Sequence, residues 1–263
     1  MYNNIITEVD LGVAIITLNR PERHNAFDDA LIAELSDAID RMAADPAVRV
    51  LVISSTGKSF CAGADLNWMK RAAGYSSEEN LRDARALAGM LRRLAHCPKP
   101  TVARIQGPAY GGGVGLVACC DVAIATFDAE FSLTEVKLGL IPAVISPHVI
   151  AAIGERYARR YMLTAERFSA AEAYRIGLLH EMVTDEESLD EALGEIIDAL
   201  LKNGPRAIAE CKELIQAVAW KPLSDAILDD TAQRITRLRA SEEGREGMSA
   251  FLEKRKPNWI AQG

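Results

Sequence analysis

The sequence has few cysteines and histidines, and neither residue is spaced as a metal site or a disulfide framework requires. Five cysteines among 263 residues are an odd number, and no two of them have the Cys-x-x-Cys spacing of a thiolate zinc site. The four histidines form no His-x-x-x-His or His-Glu-x-x-His pattern. These absences argue against metal catalysis, and we expect free thiols in a reducing cytoplasm.

Long apolar runs are also missing. The longest candidate, residues 138–153, is interrupted by Gly139, Pro142 and Pro147, and it is shorter than the roughly 20 apolar residues that span a bilayer. The first residues lack the basic segment and apolar stretch of a secretory signal. We therefore expect neither a membrane partner nor a targeting segment.

An excess of positive charge is absent as well. Thirty Lys and Arg residues face 37 Asp and Glu residues, which gives a net charge of −7. This balance disfavours nucleic acid as the main partner. The length and the 49% hydrophobic content are ordinary for one large globular domain, or for a domain with a small appendage.

Strand and helix signals alternate through the first half of the chain. A hairpin is predicted from residues 3–9 and 12–18. Apolar spacing predicts a helix over residues 28–44, and Val48–Ser54 has the apolar run of a buried parallel strand. Further helices and strands alternate at 77–96, 101–106, 114–119 and 121–125. This alternation indicates an α/β fold with parallel strand pairing.

From about residue 146 onward, the pattern is mostly helical. The helices predicted there cover 147–153, 155–163, 169–176, 187–202, 206–218, 223–239 and 243–254. We expect a core over residues 1–200 and a helical C-terminal region over residues 201–263. A tail of this kind often packs on another subunit.

Two loops rich in small residues follow predicted strands. Gly111-Gly112-Gly113 precedes a helix, where glycines admit a substrate close to the backbone and the helix N-terminus offers N–H donors. A tight strand-to-helix turn explains the same glycines equally well. The second loop, Phe60–Asp65, is by itself more typical of a loop packed under the next helix. Leu116 excludes a dinucleotide fingerprint, because a glycine is required there.

One carboxylate stands inside an apolar run. Glu135 lies in the segment Ser132–Pro142, where burial would raise its pKa and prepare it for proton transfer. Taken alone, a glutamate in this position is more often an ordinary surface residue.

Together these segments resemble the crotonase superfamily, also called the enoyl-CoA hydratase/isomerase family. The resemblance covers essentially the whole chain, and it rests on Asn19–Ala26, Ser59–Leu66, Gly107–Gly113, Thr134–Pro142 and Glu246–Arg255. It implies a spiral of repeated ββα units that carries the CoA and active site, with a helical C-terminal region used in trimerisation. A homotrimer or a dimer of trimers is the implied assembly.

The resemblance also implies the site. The backbone N–H groups of Ala64 and Gly112 would hold the thioester oxygen of an acyl-CoA, and Glu135 would transfer protons. CoA would enter as part of the substrate, so no separate cofactor is expected. The positions implied to contact substrate or CoA are Arg23, Ala62, Asp65, Leu66, Trp68, Tyr110, Gly111, Gly115, Pro142, Phe251 and Lys254.

The sequence departs from the family at Gly115, where hydratases typically carry the first of two catalytic glutamates. Three functions therefore stay open: a hydratase in which Glu135 does both jobs, an enoyl-CoA isomerase, and a non-catalytic oligomer that binds acyl-CoA or RNA. Segments Val114–Asp121 and Ile141–Pro147 resemble bacterial 3-methylglutaconyl-CoA hydratases of leucine degradation, which favours hydration. The free carboxylate of such a substrate could orient the water. The candidates to receive that carboxylate are Trp68, Lys70, Arg71, Tyr110 and His148.

Overall fold

A computed structural model describes residues 2–260 and contains a six-stranded and a three-stranded sheet. In spatial order, the larger sheet contains β1 (Ile5–Asp10), β2 (Val13–Leu18), β3 (Val50–Ser55), β4 (Thr101–Ile105), β6 (Val122–Thr126) and β9 (Glu181–Val183). β1 and β2 form the predicted antiparallel hairpin, and every other neighbouring pair in this sheet is parallel. The predicted α/β class with parallel pairing is confirmed.

The smaller sheet contains β5 (Ala109–Tyr110), β7 (Glu130–Ser132) and β8 (Phe168–Ser169). Isolated bridges between Cys61 and Ala109 and between Phe27 and Ala64 extend it. Each of three strands in the larger sheet is therefore followed by a short segment that pairs in the smaller sheet. Cys61 follows β3, β5 follows β4 and β7 follows β6. This is the repeated ββ element of the spiral that the family resemblance implied.

Ten α-helices flank the sheets within residues 2–260. Their bounds are α1 (Asp29–Ala44), α2 (Leu66–Ala72), α3 (Ser77–Ala95), α4 (Gly112–Cys119), α5 (Ser146–Thr164), α6 (Ala170–Arg175), α7 (Glu186–Leu201), α8 (Pro205–Val218), α9 (Asp225–Ala240) and α10 (Glu242–Leu252). Gly154 has a φ of 73° and interrupts α5. This agrees with the prediction of two separate helices over residues 147–153 and 155–163. Short 3-10 helices cover Pro21–Arg23 and Glu135–Leu138.

The core lies on both faces of the larger sheet. All six residues of β3 are buried, which confirms the prediction of a buried parallel strand. Leu51 and Ile53 belong to the main core, whereas Val50 and Val52 pack with residues of α7 on the opposite face. Successive side chains of a strand point to opposite faces, so a strand covered on both sides needs a continuous apolar run.

The C-terminal helices α8, α9 and α10 confirm the predicted helical region. Helices α8 and α9 have no buried residue in the described chain. Large apolar side chains that stay exposed along this region include Trp220, Leu223, Leu228, Phe251 and Leu252. Residues 261–263, which end the predicted region, lie outside the described residues, and trimerisation stays a prediction.

Several short elements were not predicted. Residues 66–72 form α2 because the Asp65 side chain accepts hydrogen bonds from the N–H groups of Asn67 and Trp68 and so caps the helix. The two- and three-residue strands β5, β7, β8 and β9 are too short for a periodic pattern to reveal. No helix within residues 2–260 is long and apolar enough to cross a membrane.

Candidate active site

Two loops, one after β3 and one after β4, lie against each other and form the floor of the site. The N–H of Tyr110 donates to the carbonyl oxygen of Cys61 at 2.9 Å. A β-carbon at Gly113 would lie 2.4 Å from that same carbonyl oxygen, so only glycine allows this approach. The start of α4 is thereby brought beside the segment that carries Ala64.

Ala64 and Gly112, the two donors that the family resemblance implied, lie on these two loops. Phe27 N–H donates to Gly63 O at 2.6 Å, and Asp65 N–H donates to Phe27 O at 2.8 Å. Since Asp65 and Gly63 make these bonds, the N–H of Ala64 between them points away from Phe27. Gly112 is the first residue of α4, where an N–H has no acceptor in the helix. Both residues line the same cavity, as an oxyanion hole formed by their two N–H groups requires.

Glu135 begins a 3-10 helix and faces the same cavity. Its Oε2 atom is buried and has no hydrogen-bond partner within residues 2–260. Burial raises the pKa of the carboxyl group above the ordinary value of 4.5, because desolvation disfavours the charged form. A partly buried carboxylate with a raised pKa is suited to accept and return a proton.

Gly111 lies between Glu135 and Gly112, and its backbone conformation allows their close approach. Its φ is 49°, a left-handed conformation that favours glycine, and its N–H donates to Ser132 O at 2.8 Å. A β-carbon at this position would lie 3.1 Å from Glu135 Oε1. Any side chain here would therefore both strain the backbone and press on the carboxylate.

The cavity has a volume of about 700 Å³. Residues of α2 and α3 form one wall and the segment Leu138–Ile145 forms the other. The predicted site residues that line it are Ala62, Ala64, Leu66, Trp68, Gly111, Gly112, Glu135 and Pro142. Within the described chain, no Lys, Arg or His lines this cavity, so its walls are mainly apolar.

Comparison with known proteins decides the family. A family profile described as enoyl-CoA hydratase/isomerase matches residues 8–262. The solved structure of an enoyl-CoA hydratase from Shewanella pealeana superposes with a TM-score of 0.95 at 45% identity, covering 98% of this chain and 96% of that chain. The chain belongs to the enoyl-CoA hydratase/isomerase family.

Two curated hydratases are similar to this chain over nearly their full lengths. A crotonyl-CoA hydratase of Syntrophomonas wolfei is 35% identical over 267 residues, covering 99% of each chain. A 2,3-dehydroadipyl-CoA hydratase of Escherichia coli is 32% identical over 258 residues, covering 98% of each chain. The chain is therefore an enzyme of this family, and an acyl-CoA thioester suits its site.

Asp65, one of the predicted substrate contacts, is buried and is not part of the cavity lining. Arg20 and Arg23 approach its Oδ2 at 3.4 and 3.1 Å. Burial alone would raise the pKa of Asp65, but hydrogen bonds from Trp68 N–H and the Arg23 guanidinium outweigh it and lower the pKa. The carboxylate thus holds the end of the loop that carries Ala64, while Arg23 stays about half exposed.

The Tyr110 hydroxyl is turned away from the cavity. It donates to Glu130 Oε2 at 3.1 Å, and the guanidinium of Arg167 lies 5.3 Å from the centre of its ring. Other candidates for a substrate carboxylate also lie outside the lining: Arg71 pairs with Asp29, and Lys70 and His148 are not part of the wall. Of those five candidates, the structure brings only Trp68 to the cavity.

Gly115, Phe251 and Lys254 also lie outside the cavity lining of their own chain. Gly115 is buried within α4 and is covered by Ile145, whose Cγ2 atom would be 2.3 Å from a β-carbon at position 115. Phe251 is 83% exposed near the end of α10, and Lys254 follows that helix. The contacts implied for all three residues stay predictions. For Phe251 and Lys254, the family resemblance implies a contact with the CoA of a neighbouring subunit.

Several lining residues were not predicted from the sequence, and three of them shape the geometry around Gly112, Glu135 and Gly115. Phe27 packs against Gly112, Thr134 lines the cavity beside Glu135, and Ile145 closes the wall over Gly115. For Thr134, the sequence did offer a signal, because its hydroxyl group directly precedes the candidate carboxylate Glu135. Phe27 and Ile145 are ordinary apolar residues, and their sequence positions carry no comparable signal.

Proposed function

We propose that the enzyme adds water reversibly to a 2-enoyl-CoA, with Glu135 as its single acid–base group and 3-methylglutaconyl-CoA of leucine degradation as its substrate. The observation that carries this proposal is the meeting of three groups at one apolar cavity. Ala64, Gly112 and Glu135 all line it, and the Oε2 atom of Glu135 is buried with no hydrogen-bond partner within residues 2–260.

In the proposed reaction, the thioester oxygen accepts hydrogen bonds from the N–H groups of Ala64 and Gly112. Glu135 takes a proton from water while the water oxygen bonds to the β-carbon, and the π electrons move onto the thioester oxygen. The enolate then reforms the carbonyl group, and the α-carbon takes the proton from Glu135. The carboxylate is regenerated, and the donors stabilise the charge that develops in the transition state.

One carboxylate has to serve both proton transfers because the described lining contains no second acidic side chain. The position of the first family glutamate is Gly115, and Ile145 fills the space beside it. A partly buried Glu135 suits both roles, since its raised pKa is closer to neutral pH than the pKa of an exposed glutamate.

The choice of a dicarboxylic substrate rests on two supports. Segments Val114–Asp121 and Ile141–Pro147 resemble bacterial 3-methylglutaconyl-CoA hydratases, and one curated relative is named for 2,3-dehydroadipyl-CoA, also the thioester of a dicarboxylic acid. The described lining contains one carboxylate, that of Glu135. A substrate of this class supplies a second carboxylate, and the substrate's carboxylate helps to orient the water.

An enoyl-CoA isomerase is the second candidate, and the single carboxylate favours it. In that reaction, Glu135 removes a proton from the γ-carbon and returns it to the α-carbon, so that no water is activated. The same N–H groups of Ala64 and Gly112 would stabilise the dienolate.

The deciding experiment is mass spectrometry and chromatography of four thioesters incubated with the enzyme. These are 3-methylglutaconyl-CoA, its neutral counterpart 3-methylcrotonyl-CoA, crotonyl-CoA and a 3-enoyl-CoA. We expect rapid gain of one water on the first and slow reaction of the others. Equal hydration of the neutral counterpart would reject the dicarboxylic substrate. Double-bond migration at unchanged mass, with no hydration of any thioester, would make the enzyme an isomerase.

We also propose a homotrimer or a dimer of trimers as the working assembly. Support comes from the apolar side chains that α8, α9 and α10 leave exposed, among them Trp220 and Leu223, because exposed apolar patches of this kind mark contact surfaces. Light scattering coupled to gel filtration tests it. A mass equal to one 28.6 kDa chain would contradict the proposal.

A further inference from the structure

Thr134 lies immediately before Glu135 and lines the same cavity. The point at which a β-carbon of Gly111 would stand is 3.7 Å from Thr134 Oγ1 and 3.1 Å from Glu135 Oε1. Glycine leaves that point empty. The hydroxyl and the carboxylate therefore flank one small space above the backbone of Gly111.

The Thr134 hydroxyl makes no capping hydrogen bond within the described residues. Thr134 occupies the residue before the 3-10 helix Glu135–Leu138, but its side chain does not cap that helix. The other polar group on the wall, Trp68 Nε1, donates to Asp83 Oδ1 at 3.3 Å. Among the described lining residues, the side-chain oxygens belong to Thr134 and Glu135 alone.

A water molecule that attacks a β-carbon has to be held at two points. One of its hydrogens goes to the general base, and its attacking lone pair has to face the carbon. With Glu135 as the single anchor, the water rotates about that hydrogen bond and loses its alignment. A second acceptor for the other hydrogen fixes the orientation, and orientation of reactants is a large part of enzymatic rate enhancement.

We propose that Thr134 is the second anchor of the attacking water and holds it beside Glu135 through its hydroxyl oxygen. This inference rests on the proposed hydration reaction and deepens it. Thr134 accepts a hydrogen bond and exchanges no proton with the substrate, so it positions the water, whereas Glu135 carries out the proton transfers. Proton exchange at the α-carbon, which needs no attacking water, is independent of Thr134.

The test compares Thr134→Val, which keeps the shape and removes the hydroxyl, with Thr134→Ser, which keeps the hydroxyl. Hydration is followed on 3-methylglutaconyl-CoA, and α-proton exchange is followed on the saturated 3-methylglutaryl-CoA in D₂O by mass spectrometry. We expect Thr134→Val to lower the kcat of hydration by roughly 10²-fold, the cost of a misplaced reactant, with exchange unchanged. We expect Thr134→Ser to keep most of the hydration rate.

Each other outcome overturns the inference. A Thr134→Val enzyme that hydrates as fast as wild type has no need of the hydroxyl. Equal loss of hydration and exchange, or an equal loss in Thr134→Ser, indicates a structural role. Wild-type enzyme that exchanges α-protons but hydrates none of the thioesters rejects the proposed function as well, whereas normal wild-type hydration limits the failure to Thr134.

Discussion

Ile145 packs directly over Gly115. A β-carbon at position 115 would lie 2.3 Å from the Cγ2 atom of Ile145 and 2.7 Å from its Cβ atom. Gly115 is buried within α4, and Ile145, which is 2% exposed, immediately precedes α5. Glycine at position 115 thus meets a packing requirement between two helices, in addition to leaving the site without a second carboxylate.

Gly115→Ala is expected to destabilise the enzyme. The added methyl group overlaps Ile145, and overpacking of a well-filled core costs about 1–3 kcal/mol. Gly194→Ala is the matched control, because Gly194 lies in α7 with nothing within 4 Å of its β-carbon position. There, the gain in helix propensity should stabilise by about 0.5–1 kcal/mol. Urea unfolding measures both variants, and equal stability of the two would contradict the overlap.

Gly115→Glu combined with Ile145→Gly is expected to accelerate hydration of crotonyl-CoA. Ile145→Gly removes the Cβ and Cγ2 atoms that occupy the space of the new side chain, so the second carboxylate can reach the water. Ile145→Gly alone is the control, since it opens the wall without adding an acid. An increase in that control as large as in the double variant would show that space was limiting and that the missing carboxylate was not.

Glu135→Gln is expected to remove the chemical step and to leave CoA binding intact. The amide keeps the shape but cannot take a proton, and loss of a general base costs roughly 10²–10⁴-fold. Steady-state hydration and calorimetric titration with a saturated acyl-CoA separate the two effects. Glu181→Gln, at an exposed position of β9, serves as the control for loss of one charge. Turnover near the wild-type rate in Glu135→Gln would refute the assignment.

The rate of hydration should fall at acidic pH, with a midpoint above the ordinary pKa of a glutamate. Glu135 has to be ionised to take a proton from water, and burial raises its pKa from 4.5. Activity therefore falls as pH decreases through that raised pKa. A fall in rate with its midpoint at or below pH 4.5 would contradict a raised pKa of Glu135.

The same shift predicts a gain in stability when the charge is removed. Folding raises the pKa, so the folded state binds this proton more tightly than the unfolded chain, and the stability of wild type falls as pH rises from 4.5 to the raised pKa. Above that window, Glu135→Gln should melt at a higher temperature than wild type, and below it the two melting temperatures should converge. Thermal unfolding over a pH series provides the measurement.

Gly112→Pro is expected to abolish most activity while the fold is kept. Proline removes the N–H donor, and loss of one oxyanion donor costs about 10²–10³-fold in kcat, yet the first helical position tolerates proline. Gly112→Ala is the matched variant: it retains the N–H, although its β-carbon would meet Phe27 Cδ2 at 3.0 Å. Equal activity losses in the two variants would point to the Phe27 contact instead of the donor.

Much of the fold was readable because its signals are local. The hairpin of β1 and β2, the helix α1 and the buried strand β3 follow from alternation, apolar spacing and a continuous apolar run within single segments. Capping at Asp65 was readable in principle, but the seven residues of α2 are too few for helical periodicity to separate them from a loop. The strands of the smaller sheet form only where distant segments meet.

Sequence patterns alone predicted the α/β class, the two loops rich in small residues and the candidate carboxylate Glu135, and they showed that position 115 carries no glutamate. The packing of Ile145 over Gly115 and the hydrogen bond from Tyr110 to Glu130 became visible only in the folded chain. The same holds for the small space above Gly111 that Thr134 and Glu135 share. The physical reason is that these contacts depend on how helices and strands cross, and close packing fixes that geometry through the combined shape of many side chains.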